Sequence, residues 1–275
     1  MSKRRVELVI IDAQNDFCVP AGTYKDVPTG ALLVPGAHDD MRRVAAMVKR
    51  LTPILDDIHV TLDSHHLLDV AHPMFWKDRS GKPPAPFTVI SVSDVESGVW
   101  TPRIPSFTTR MLKYVRSLEA TKKYALCIWP PHCLIGTPGT AVVPELMESL
   151  SGWVSARSAT VDFVTKGSNI FTEHYGAFAS EVPDPEDPTT QLNTSLIKTM
   201  EEADVLLWAG EAATHCVMTS MSQAFNAFGP DSIKKSVLLT DGMSCIPGFE
   251  QNFQDFLKEY TSKGMQTSTT VDFMA

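Results

Sequence analysis

The 275-residue chain lacks a long apolar run. Behind the basic stretch Met1 to Arg5, the run Val6 to Ile11 is too short for a membrane span or for the core of a secretory signal. It also lacks basic excess. A formal charge of −8 disfavours nucleic acid or an anionic membrane as the main partner, since both reward a positive face. Cysteine is sparse: five residues, an odd number with no CxxC pair, argue against a disulfide framework and for free thiols in a reducing compartment, so a cytoplasmic location is expected. No glycine-rich phosphate loop, internal repeat or heptad array is present either, which removes phosphate-cradle, solenoid and coiled-coil readings.

What remains is a chain with enough apolar residues for a substantial core, in which strand-like and helix-like stretches alternate. That alternation predicts one three-layer α/β/α domain with a mostly parallel central sheet. Strands are expected at Val6–Ile11, Ile58–Leu62, Tyr124–Ile128, Ala159–Val164, Val205–Ala209 and Ser236–Thr240, with a further short one within Gln266–Val271. Helices are expected at His38–Leu51, Met111–Leu118, Val142–Trp153, Gln191–Glu202, Ala212–Ser220 and Glu250–Lys263. Residues 77–121 shift to a proline-rich, basic composition and read as an insertion, forming a lid or an oligomer contact.

The carboxyl ends of these strands carry the chemistry, and open α/β sheets place their sites there. The first strand ends in Asp12, which read alone is equally a turn or cap residue; Phe17 follows and fits either a core or a ligand-facing place. The second strand runs into LDSHHLLDVAH, where Asp63, His65, His66, Asp69 and His72 lie close together. One carboxylate with imidazoles suits zinc, iron or manganese, and in extended chain Asp63 and His65 face the same way. His132, in WPPHC, supplies a distant third ligand, with Trp129 just before it. Lys166 ends another strand, where a solvated turn lysine is the alternative. In ADVLLWAGEAATHCVMTS, a strand, a break at Gly210 and a helix put Cys216 in the first helical turn. Unpaired N–H groups there favour a thiolate, although a small buried cysteine fits the same position.

Taken in order, these motifs resemble the isochorismatase-like cysteine hydrolases, and within them the nicotinamidases. The resemblance spans nearly the whole chain and implies a catalytic set of Asp12, Lys166 and Cys216. It implies a divalent metal, zinc first with iron or manganese as alternatives, on Asp63, His65 and His132, with His72 as an additional ligand in part of the family. Phe17 and Trp129 match the aromatic residues that flank a planar substrate ring, and Tyr175 and His215 join them as substrate-binding positions. A cis Glu211–Ala212 peptide is implied too, with the N–H groups of Ala212 and Cys216 forming an oxyanion hole. The expected reaction is hydrolysis of a small, aromatic amide to acid and ammonia through a thioester, by a homo-oligomer. Related amides or ureides, or a catalytically silent scaffold, are the alternatives. Four departures bear on the substrate: the long 77–121 segment, a lengthened Lys166–Tyr175 segment, the acidic loop EVPDPEDPTTQLN expected to border the pocket, and Glu211 where the family is usually apolar.

Overall fold

The computed structural model describes residues 4–274. Among these, six strands form one parallel sheet: β1 (Val6–Ile11), β2 (Leu55–Asp63), β3 (Asp162–Lys166), β4 (Val205–Gly210), β5 (Ser236–Leu239) and β6 (Gln266–Ser268). Their spatial order is β6-β5-β4-β1-β2-β3. The central strands VELVII and VLLWAG are buried on both faces, as near-continuous apolar runs in a covered parallel sheet must be.

Helices cover both faces. Against one lie α1 (Ala37–Leu51) and α3 (Pro144–Arg157), whose Met41, Val44, Leu146 and Trp153 pack on Leu8, Ile10 and Leu207. Against the other lie α2 (Thr108–Ala120), α4 (Thr194–Glu201), α5 (Met218–Phe228) and α6 (Glu250–Ser262), meeting Val9, Ile11, Leu206 and Trp208. α1 begins at Gly36, which takes a left-handed conformation (φ 97°), and carries acids in its first turn and bases in its last, complementing its dipole.

Several expected elements shift. Tyr124–Ile128 reduces to Leu126–Cys127, which leaves the central sheet and pairs antiparallel with Val89–Ile90. The strand around Ala159 starts later, at Asp162, and so ends on Lys166 itself. Within residues 77–121, α2 buries Met111, Tyr114, Val115 and Leu118 in the same core as β1 and β4. No helix among the described residues is long and apolar enough to cross a membrane.

The register positions the site. Ile11 lies beside Gly210 and Asp63 beside Lys166, so β4, β1, β2 and β3 end along one rim. Gly210 (φ 119°) is required there, because a Cβ would sit 2.0 Å from the Ile11 carbonyl oxygen.

Candidate active site

Asp12 leaves β1 with φ 47°, a rare value for a non-glycine residue, and is held from β2: Thr61 Oγ1 donates to Asp12 Oδ1 at 2.6 Å, and the Asp12 N–H reaches Thr61 Oγ1 at 3.0 Å. Lys166 arrives from β3. Its ammonium lies 2.9 Å from Asp12 Oδ2, 3.1 Å from Asp63 Oδ1 and 3.9 Å from Cys216 Sγ, and it donates to the His174 carbonyl at 2.9 Å. The carboxylate, ammonium and sulfur that the sequence placed far apart meet at one rim of the sheet. All three are buried.

Cys216 reaches this point through a different local structure from the one expected. The Glu211–Ala212 peptide is cis, and Ala213–Val217 then form one π-helical turn before α5. Cys216 thus precedes the α-helix instead of sitting in its first turn. Burial pushes the thiol well above its ordinary pKa, against the pull of Lys166 and with Asp12 and Asp63 adding to the rise. Burial thus works against the thiolate that a helix end favours, and the Lys166 ammonium works for it. Burial likewise raises Asp12, opposed by Lys166, which makes it a better proton acceptor. Desolvation acts to lower Lys166, but Asp12, Asp63 and Cys216 outweigh it and keep the ammonium charged.

Beside this triad, ligand atoms of Asp63, His65 and His132 lie within 4.8 Å of one another. His65 Nε2 is 3.0 Å and His132 Nε2 3.7 Å from the same oxygen, Asp63 Oδ2. Each ring is held from behind through Nδ1: His65 by Asp69 at 3.1 Å, His132 by the Pro130 carbonyl at 2.8 Å. This arrangement directs both Nε2 atoms toward Asp63, as imidazole ligands with outer partners require, so the donor set fits a divalent cation. Gly167 (φ 82°) makes room for it, since a Cβ there would meet Asp63 Oδ1 at 2.7 Å. Asp69 is thus a support for His65 and stands outside the ligand group. His66 is exposed and contributes only its carbonyl, to His72 Nδ1. His72 packs 5.2 Å and 5.4 Å from the His65 and His132 ring centroids; burial lowers it to about 4, keeping it neutral, but its nitrogens stand outside the close group.

A cavity of about 250 Å³ opens over these residues. Cys216 and Ala212 line it together with Asp63, His65 and His132, and all four expected substrate-binding residues, Phe17, Trp129, Tyr175 and His215, form its walls. His72 does not reach it. The acidic loop of residues 181–193 does not border it either: Asp184 is tied to Arg110 of α2, and Asp184 and Asp187 to Asn169, which holds the loop away from the mouth. Other parts of the wall come from segments that carry no motif. Glu173 and His174 lie on the segment after Lys166; Leu32 to Pro35, Phe87, Ile246 and Pro247 complete the opening. Glu173 accepts from Trp129 Nε1 at 3.3 Å, and burial raises it to about 7. The apolar runs LLVP and IPGF inside otherwise polar loops were the available signal.

Known structures share this architecture. The fold is that of the nicotinamidases. Yeast nicotinamidase Pnc1p bound to the inhibitor nicotinaldehyde superposes with a TM-score of 0.63 at 18% identity, over 96% of this chain and 99% of that one. Pyrococcus horikoshii pyrazinamidase in complex with zinc gives 0.56 at 17% identity, over 96% and 99%. The L. infantum protein PnC1 in complex with nicotinate gives 0.56 at 17%, over 98% and 95%. No protein-family model matches the chain, and no curated protein matches it.

Proposed function

We propose that the protein is a metal-containing cysteine amidohydrolase that cleaves a small aromatic amide, of the nicotinamide type, to the acid and ammonia. The reading is carried by one observation: the Lys166 ammonium lies 2.9 Å from Asp12 and 3.9 Å from Cys216, whose side chain lines an aromatic-walled cavity. In the reaction, Sγ of Cys216 attacks the amide carbon while Asp12 takes the thiol proton. The tetrahedral oxyanion is met by the N–H groups of Ala212 and Cys216, where losing one donor typically costs about 3 kcal/mol of barrier. Asp12 then gives its proton to the departing nitrogen; the C–N bond breaks, ammonia leaves, and a thioester remains. Water, deprotonated by Asp12, attacks the thioester and releases the acid and the thiol. Lys166 steadies the charge on Asp12 and on the sulfur throughout.

Asp63, His65 and His132 would hold the divalent cation, zinc before iron or manganese, with His72 behind them. Such an ion supplies a binding point that orients the substrate in the cavity. Support comes from the shared Asp63 oxygen, the rear supports on both rings, and a structural neighbour that contains zinc. Phe17 and Trp129 clasp the ring. The test is ammonia release from pyridine-3-carboxamide and a panel of related amides by wild type and Cys216→Ala. Turnover by wild type and a loss of about 10⁴-fold or more in the variant are expected; equal turnover by the two removes the nucleophile role.

A further inference from the structure

The cavity has two chemically distinct zones. The carboxylate and imidazole residues that line it, Asp63, His65, His132, Glu173, His174 and His215, are all buried. Among the described residues, those that line its mouth carry no charge. Leu33, Pro35, Phe87 and Pro247 line the cavity and yet face solvent, with Leu33 40% and Phe87 61% exposed. They come from three separate loops, so the apolar collar is not a by-product of one element's packing. Phe87 is moreover held in a left-handed conformation (φ 67°), which bulky residues rarely adopt; its N–H is bound to the Ile128 carbonyl and its ring stands edge-on to Trp129 at 6.0 Å.

A pocket meant only for a compact polar amide needs aromatic walls and a polar floor; it gains nothing from apolar side chains left in water at its entrance. Contiguous exposed apolar surface of this kind marks a binding surface, and here it is continuous with the walls around Cys216. We infer that the amide this site takes carries an apolar group on its ring, seated at the mouth between Leu33, Phe87 and Pro247. The inference rests on the amidase reading above and narrows its substrate class to ring-substituted aromatic amides.

The experiment compares pyridine-3-carboxamide with its phenyl-substituted derivatives, one for each open ring position, in wild type, Phe87→Ala and Leu33→Ser. At least one derivative is expected to exceed the parent by about tenfold in kcat/KM, mainly through KM, because a hydrophobic contact of this size discriminates by roughly that factor. In both variants that preference should fall toward one. A parent favoured over every derivative, or a preference that survives both substitutions, overturns the inference. Should no amide be hydrolysed, the amidase reading fails. The mouth is then tested by calorimetric binding of the parent and substituted amides to wild type. Tighter binding of a derivative that Phe87→Ala abolishes supports the apolar seat, and equal affinities overturn it. Phe87→Ala that alters only the oligomeric state would assign the collar to a second copy of the chain and overturn it as well.

Discussion

The same three strands carry a charged cluster at each end. At the carboxyl rim, Asp12, Asp63 and Lys166 close off β1, β2 and β3; nearer their starts, Glu7, His59 and Asp162 sit on those strands in the same order. Each cluster adjoins a trio whose ligand atoms lie within 4.8 Å of one another, Asp63, His65 and His132 at the rim and Glu7, Asp57 and His59 nearer the strand starts. The difference lies in what each atom has left to do. His59 places Nδ1 3.0 Å from Asp162 and Nε2 3.2 Å from Glu7, and Arg5 bonds Glu7 at 2.6 Å. Both imidazole nitrogens are taken up by carboxylates, so none offers a lone pair to a metal. At the rim, by contrast, two Nε2 atoms converge on one carboxylate oxygen, and the ammonium adjoins a sulfur that lines a cavity. Clustered charge at the strand starts ties a sheet together; at the rim it meets an opening. Desolvation acts to lower His59, but its bonds to Asp162 and Glu7 prevail and raise it to about 9, a protonated clamp across three strands.

Substitution at each end should separate the two roles. Asp12→Asn keeps the shape of the side chain and removes the proton acceptor, so kcat on the best amide should fall by about 10³-fold, read by steady-state ammonia release. His59→Asn should leave kcat within a factor of two and destabilise the fold by about 3 kcal/mol in urea unfolding, because Glu7 is left buried without its imidazolium. A His59→Asn variant as inactive as Asp12→Asn would erase the distinction. Metal content sharpens it further. Protein purified without chelators should carry about one equivalent of zinc, iron or manganese by elemental analysis. That metal should be lost in His132→Ala and kept in His59→Asn; wild type holding less than about a tenth of an equivalent sinks the rim assignment.

The rim was legible in the sequence because its residues follow directly from strands: a parallel strand that ends in Asp12, Asp63 or Lys166 delivers that side chain to the carboxyl edge whatever surrounds it. The clamp was not legible. Glu7 reads as an interruption in an apolar run, and His59 and Asp162 become its partners only once β2 and β3 pair in the observed register. The cavity mouth was hidden for the same reason, since Leu33, Phe87 and Pro247 meet through loops with no periodicity to read. The upward push on the Cys216 thiol comes from burial by distant segments, which local helix chemistry does not report. Glu211 departs from the apolar residue usual in the nicotinamidases that the chain resembles, but its setting comes from α1 and the loop around Ser244.

Glu211 offers the smallest and most pH-specific test of the comparison. Both clusters pair their buried acids with cations, whereas Glu211 accepts from a main-chain N–H, that of Ser244, at 3.1 Å. Burial, with Asp40 adding to it, raises its carboxyl well above the ordinary value of 4.5, against the opposing pull of the Ser244 N–H and of Arg43, so folding favours the protonated form. An acid with a raised folded pKa favours the folded state fully below its unfolded value. That contribution is lost as pH climbs from there toward the folded value, by up to about 1.4 kcal/mol per pH unit. Glu211→Gln cannot ionise and keeps an acceptor for Ser244. It should match wild type in urea unfolding near pH 4.5 and exceed it by about 1 to 2 kcal/mol at pH 8. Parallel stability curves for the two proteins across that range would mean that Glu211 finds a compensating cation when it ionises, and the contrast with the paired acids would disappear.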